Sequence, residues 1–314
     1  MPIKIPNDLP ASKILKEENI FVMDETRALS QRIRPLKLII VNIMPTKIVT
    51  ETQLLRLLSN TPLQIEVDWL CMESHNSKNT SQEHLMEFYK TFNEIKDNKY
   101  DGLIVTGAPV EKLKFEDVDY WDELTKIFDW ANTNVFSSFF ICWASQASLY
   151  YYYGVEKYKK KKKLTGVYHH HTNPEKMRRR ILRGFDYQFY APHSRYTSVK
   201  KEDIEKIDSL DILASSNDAG VYLVAEKDGS RFFVTGHPEY DPDTLDKEYH
   251  RDLAKGGDCV MPKNYYKNDD VNDEILVKWR SHAYLLFSNW LNYYVYQNTP
   301  YNLDDLLKMK TTNK

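Results

Sequence analysis

The chain reads as an α/β protein with a mostly parallel sheet flanked by helices, and three features of its sequence predict this. Short apolar runs alternate with amphipathic stretches of helical spacing. Two of the runs stop at small or reactive residues, Gly107 and Cys142. No internal repeat and no Gly/Ser-rich linker breaks the succession. Strand, helix, strand, helix is the pattern of a parallel sheet covered on both faces, and such sheets gather ligands at the carboxyl ends of their strands.

The elements follow in order. Residues 1–34 lack a clear period and are expected to form an N-terminal arm. Residues 36–43 read as a buried strand, 50–58 as a helix, 63–72 as a strand and 84–95 as a helix. The cycle repeats with an apolar run at 101–107, a helical pattern at 120–131 and a β-rich run at 135–141. The tyrosine- and lysine-rich segment 151–163 is expected to be a surface loop. Lys227-Asp-Gly-Ser230 is a turn signal between two β-rich runs, and Pro242 marks a helix start. An aromatic amphipathic run over 275–296 closes the fold. Residues 35–300 are thus expected to form a single catalytic domain, with 301–314 as a C-terminal tail.

Composition narrows the function. At 314 residues the chain can bury a large core. Its 43 basic and 45 acidic side chains leave no bias toward nucleic acid or an anionic membrane, so small-molecule partners are expected. Cys71, Cys142 and Cys259 are an odd number without a C-x-x-C spacing, which suits free thiols in a reducing compartment. With no apolar run of membrane-spanning length and no signal-peptide pattern at the N-terminus, a cytoplasmic protein is expected.

Cys142 ends an apolar strand and is followed by Ala144, Ser145, Ala147 and Ser148. A strand-to-helix turn lined by small residues lifts one side chain above a sheet, and the positive end of the helix favours a thiolate there. Cys71 and Cys259 lack that setting. A thiol nucleophile needs a base, and the base needs an orienting group. His237 directly follows a β-rich run, with Glu239 two residues on; in an extended segment both face the same side. Cys142, His237 and Glu239 are the expected triad. The three consecutive histidines His169 to His171 alternate faces on an extended chain, so no metal is expected.

Several blocks now resemble the MetA family of homoserine O-acyltransferases along nearly the whole chain. They include Asn42-Ile-Met-Pro-Thr-Lys47, Thr106-Gly-Ala-Pro109, Ile141-Cys-Trp143, Ala191-Pro-His-Ser-Arg-Tyr196, Gly236-His-Pro-Glu-Tyr-Asp241 and Trp279-Arg-Ser-His282. The resemblance implies a class I glutamine amidotransferase-like fold, a flavodoxin-like three-layer arrangement with N- and C-terminal extensions. It implies an acyl-thioester on Cys142, proton transfer by His237 and completion of the triad by Glu239. It further implies substrate contacts from Lys163, Ser194 and Arg251, and it leaves a homodimer open.

In that family a glycine at the position of Glu111 accompanies succinyl-CoA, whereas glutamate accompanies acetyl-CoA. A carboxylate there would repel the succinyl carboxylate. The expectation is therefore acetyl transfer from acetyl-CoA, a co-substrate with no bound cofactor, to L-homoserine in methionine biosynthesis; succinyl-CoA is the alternative donor. The amide of Trp143 and the backbone near Val110 are the expected oxyanion donors. One departure is local: where the family has Cys-Trp-Gly-Ala, this chain has Cys142-Trp-Ala-Ser145, and Ala144 fits only if its φ is negative. Two other classes share these features: a glutamine amidotransferase or related hydrolase, and a non-catalytic binding protein on the same fold.

Overall fold

A computed structural model describes residues 3–5, 9–17, 23–24, 34–75, 79–256 and 259–306. Most of the expected N-terminal arm and residues 307–314 of the tail lie outside the described residues. The strands are β1 (Ile3–Ile5), β2 (Met23–Asp24), β3 (Leu36–Val41), β4 (Ile65–Leu70), β5 (Tyr89–Lys90), β6 (Tyr100–Val105), β7 (Val135–Ile141), β8 (Lys157–Thr172), β9 (Gln188–Val199), β10 (Leu210–Ser216), β11 (Gly220–Glu226) and β12 (Arg231–Val234). The helices are α1 (Pro10–Glu17), α2 (Lys47–Leu58), α3 (Gln82–Phe88), α4 (Phe92–Ile95), α5 (Trp121–Asn134), α6 (Trp143–Tyr153), α7 (Lys201–Glu205), α8 (Thr244–Ala254) and α9 (Arg280–Trp290).

All the strands join one sheet in the order β2-β1-β4-β3-β6-β7-β12-β11-β10-β8-β9, with β5 beside β4. Pairing is parallel from β2 through β7 to β12, and antiparallel from β12 to β9. The central parallel strands are buried on both faces, as apolar runs such as Leu36-Lys-Leu-Ile-Ile-Val41 require. Alternation along them sends side chains into two cores. Leu38, Ile40, Ile104 and Phe139 pack with Leu54 and Leu58 of α2 and with Phe287 and Trp290 of α9. Ile39, Val41, Leu103, Val105 and Phe140 pack with Leu124 and Phe128 of α5 and Ala144 and Ala147 of α6. The outcome is three layers, helix on sheet on helix.

Four local expectations are corrected. The helix expected over 84–95 divides into α3, β5 and α4. Tyr89 turns inward, where its hydroxyl donates to Glu51 Oε1 at 2.6 Å, and its backbone pairs with Trp69. Thr91 and Glu94 then form a capping box that restarts the helix. The expected loop over 151–163 is instead the end of α6, a left-handed cap at Gly154 and the first half of β8. Its lysines occupy a stretch of β8 paired on one side only, with β9, and long charged side chains suit such an edge. The helix expected from Pro242 begins at Thr244, and the closing helix begins at Arg280 rather than at 275 and ends in a π-turn, Leu291–Tyr296. Among the described residues no helix is long and apolar enough to cross a membrane.

Candidate active site

Strand β7 ends at Ile141, and Cys142 makes the turn into α6 with φ 52° and ψ −112°. A side chain other than glycine is strained at such a φ. The position is fixed from both sides. Cys142 N–H donates to Val234 O at 2.7 Å on the neighbouring strand, while Cys142 O accepts from Ser145 Oγ at 2.6 Å and Ser145 N at 3.1 Å. Ala144 lies inside α6, outside the positive-φ region, and is fully buried; the condition for tolerating it in place of glycine is met.

The chain continuing from β12 carries the partner groups. His237 Nδ1 hydrogen-bonds Glu239 Oε1 at 2.7 Å, and the same imidazole hydrogen-bonds Cys142. With Nδ1 occupied by the carboxylate, Nε2 is the ring nitrogen left for the sulfur. All three groups are buried. The expected route to this contact was an extended segment; the segment is in fact a turn, closed by Tyr240 N–H donating to His237 O at 3.3 Å. The Tyr240 ring lies flat against the imidazole, with centroids 4.1 Å apart and planes 19° apart. Burial alone pushes the imidazolium toward losing its proton, but the charges of Cys142 and Glu239 outweigh it and hold His237 well above its ordinary value.

Cys142 and His237 open on a cavity of about 560 Å³ that is also lined by Val110, Glu111, Lys163, Ser194 and Arg251. Burial raises the pKa of Glu111, with the charges of His237 and Lys163 acting the other way. The three expected contact residues meet one acidic cluster on α8. Lys163 Nζ lies 2.8 Å from Asp252 Oδ2 and 3.5 Å from Glu248 Oε2. Ser194 Oγ donates to Glu248, as does the Tyr240 hydroxyl at 2.9 Å. Arg251 is half exposed and donates to Asp252 Oδ1 through Nε at 3.1 Å and Nη2 at 2.9 Å. Trp143 supplies the first amide of α6, which helical geometry leaves without an intrahelical acceptor.

The family model for homoserine O-succinyltransferase matches residues 2–301 of this chain. The chain belongs to that family. A homoserine O-acetyltransferase of Catenibacterium mitsuokai is 72% identical over 311 residues, covering 99% of this chain and 100% of the relative. One from Acetivibrio thermocellus is 59% identical over 307 residues, 98% of this chain and 100% of the relative. Solved structures carry the fold further afield. A glutamine amidotransferase of Thermotoga maritima matches with a TM-score of 0.55 at 12% identity over 83% of this chain and 98% of its own. One from Methylobacillus flagellatus gives 0.51 at 11%, over 83% and 95%. The class I glutamine amidotransferase-like fold expected from the family resemblance is the one observed.

In this member of the homoserine O-succinyltransferase family, sequence reasoning missed four residues at the site. Gly107 is one: a Cβ there would lie 3.2 Å from His237 Cε1 and 3.3 Å from Cys142 Cβ, so the backbone passes directly behind these two side chains. Tyr240 is another, and Glu248 and Asp252 complete the set. A signal for the last two was present, since 248, 251 and 252 share one face at helical spacing. The histidine run also found partners. Arg195 Nε donates to His193 Nδ1 at 3.4 Å, His193 Nε2 meets His170 Nε2 at 3.0 Å, and His170 Nδ1 meets Tyr168 O at 2.9 Å. Because Arg195 and the carbonyl fix both ends, His193 carries its proton on Nε2 and His170 on Nδ1, and burial keeps both neutral. This buried row backs the His237 segment: Pro192 O accepts from His237 N–H at 2.9 Å, and a Cβ on Gly236 would sit 3.0 Å from His193 Cε1.

Proposed function

We propose that this chain transfers an acetyl group from acetyl-CoA to the hydroxyl of L-homoserine through a thioester on Cys142, giving O-acetyl-L-homoserine for methionine biosynthesis. Both substrates are small molecules, acetyl-CoA is a co-substrate rather than a resident cofactor, and the cytoplasm is the proposed compartment. The observation that carries the reading is the hydrogen-bonded row Cys142, His237, Glu239 opening on the cavity that Glu111 lines.

In the first half-reaction the Cys142 thiolate attacks the acetyl carbonyl, the carbon–sulfur bond to CoA breaks, and the CoA thiolate takes the proton from His237 Nε2. The amide of Trp143, with the backbone of Val110 as second donor, stabilises the oxyanion. Acylation then removes the charge on Cys142, which had helped to hold the imidazolium proton. His237 is left as a neutral base with its Nδ1 proton oriented by Glu239. In the second half-reaction the homoserine hydroxyl gives its proton to Nε2 and attacks the thioester, and the departing Cys142 thiolate restores the starting ion pair. Lys163, Ser194 and Arg251 hold the substrates' polar groups. The buried carboxylate of Glu111 disfavours the carboxylate of a succinyl group, which would be a like charge in a poorly solvated place.

The test is thiol release from acetyl-CoA and from succinyl-CoA, each with homoserine, beside Cys142→Ala. Release with acetyl-CoA that Cys142→Ala abolishes supports the proposal, and no release with either donor refutes it. A wild-type preference for succinyl-CoA would remove the role given to Glu111, and Glu111→Gly should shift the choice toward succinyl-CoA.

A further inference from the structure

Glu111 stands in a short turn between β6 and α5, closed by Leu113 N–H donating to Val110 O at 3.1 Å. A carboxylate in such a turn discriminates between ligands only if the turn is held, because a buried charge gains hydration by swinging outward. The holding group comes from far along the chain. Lys157, the first residue of β8, extends its ammonium under the turn and donates to Glu111 O at 3.1 Å and to Leu113 O at 2.6 Å. The same ammonium lies 4.0 Å from the centroid of the Phe115 ring. On the other flank Lys112 Nζ lies 4.1 Å from the centroid of the Tyr196 ring, which fixes the turn against β9. Among the described residues Lys157 forms no ion pair with a carboxylate, and its two hydrogen bonds go to backbone carbonyls on either side of Lys112.

We propose that Lys157 is a specificity-positioning residue: by clamping the carbonyls of 111 and 113 it holds the Glu111 carboxylate in the cavity and so sets the choice of acyl donor. The inference rests on the donor-selecting role proposed for Glu111. It separates Lys157 from Lys163, which turns to α8, and from Lys159, Lys161 and Lys162, which are exposed along the β8 edge. A pH signature accompanies the geometry. Burial brings the Lys157 pKa down to about 8, against the opposing charges of Glu111 and Glu116 on the loop and Glu156 beside it. Raising the pH through that value strips the charge from the clamp and weakens both of its bonds.

The experiment measures kcat/KM for acetyl-CoA and succinyl-CoA in the full-length wild type, Lys157→Met, Lys157→Arg, Glu111→Gly and the double variant Glu111→Gly/Lys157→Met. Lys157→Met should lower the acetyl-to-succinyl ratio about tenfold, mostly by a gain with succinyl-CoA, and Lys157→Arg should keep most of the ratio. The double variant should match Glu111→Gly alone. A general structural role for Lys157 would instead depress both donors equally, leave the ratio unchanged and overturn the proposal. Should Lys157→Met fail to fold, the wild-type ratio between pH 7 and 9 decides: it falls if the clamp is real, and a flat ratio overturns it. If Glu111→Gly leaves donor choice unchanged, the reading of Glu111 fails and this inference with it. If Glu111→Gly switches donor and Lys157→Met does not, only the inference falls.

Discussion

Lys47 and Lys163 are buried to nearly the same degree, one at the start of α2 in the parallel half of the fold and the other on β8 in the antiparallel half, yet their protons are held in opposite ways. Lys47 donates to the Asn42 carbonyl, forms no ion pair with a carboxylate among the described residues, and is pushed down to about 8 by burial. Burial also presses on Lys163, but Glu248 and Asp252 outweigh it and raise its pKa. Depth alone therefore does not decide the state of a charge; the partners do. The same division runs through the site. Beside the parallel strands, buried groups stand singly with few polar partners, and Cys142 and His237 are each proposed to have one task. On the α8 wall, charges are shared among several partners that satisfy one another.

The largest effect should come from breaking the dry side. Cys142→Ser keeps the turn but replaces the proposed nucleophilic sulfur with a much weaker hydroxyl nucleophile, and turnover measured by CoA release should fall by about 10³-fold or more. Glu239→Gln, which leaves the imidazole without its orienting carboxylate, should lower kcat by about 10²–10⁴-fold with KM little changed.

Next is the unpaired lysine, where the effect is on stability. The folded pKa of Lys47, about 8, lies below the unfolded value of 10.5. Between those values the unfolded chain binds the extra proton, so the folded state gains stability as pH rises from 8 toward 10.5 and has none of that gain below 8. The gain is on the order of 3 kcal/mol. Lys47→Met should raise the denaturation midpoint at pH 7 and should flatten this rise with pH. An unaltered pH dependence in the variant would show that Lys47 is not the group responsible.

Gly107→Ala probes the close passage of backbone behind Cys142 and His237. Displacing His237 or Cys142 by a few tenths of an ångström should lower kcat about 10- to 100-fold while substrate affinity stays near wild type. The smallest effect is expected on the α8 wall. Glu248→Gln weakens the charge that Lys163 and Ser194 share but leaves Asp252 in place, so KM should rise by about tenfold or less with kcat largely kept.

The sequence showed the dry side more clearly than the ionic one. Alternating apolar runs gave the parallel strands, and an abrupt stop at Cys142 among small residues marked the turn into α6. His237 and Glu239 were readable because they lie two residues apart. The α8 wall joins residues from β8, β9 and α8, whose meeting depends on a hairpin that the lysine run concealed: charged side chains on an edge look like a loop when read in one dimension. Gly107 stood within a recognised block, but its reason is a 3.2 Å approach to a residue 130 positions later, and no local pattern encodes that. Lys157 was hidden for the opposite cause, since it looks like its neighbours and differs from them only in where its ammonium ends.

The long β8–β9 ribbon behaves mechanically as one beam with two loads. Near one end Lys157 bears on the loop of Glu111, six residues along Lys163 bears on α8, and the register shift between Lys159 and Leu164 forms a joint between them. Bending the beam at that joint moves both loads at once. If Glu111 selects the donor as proposed, donor choice and the α8 contacts are coupled traits, and a change of twist made to tune one will be felt by the other.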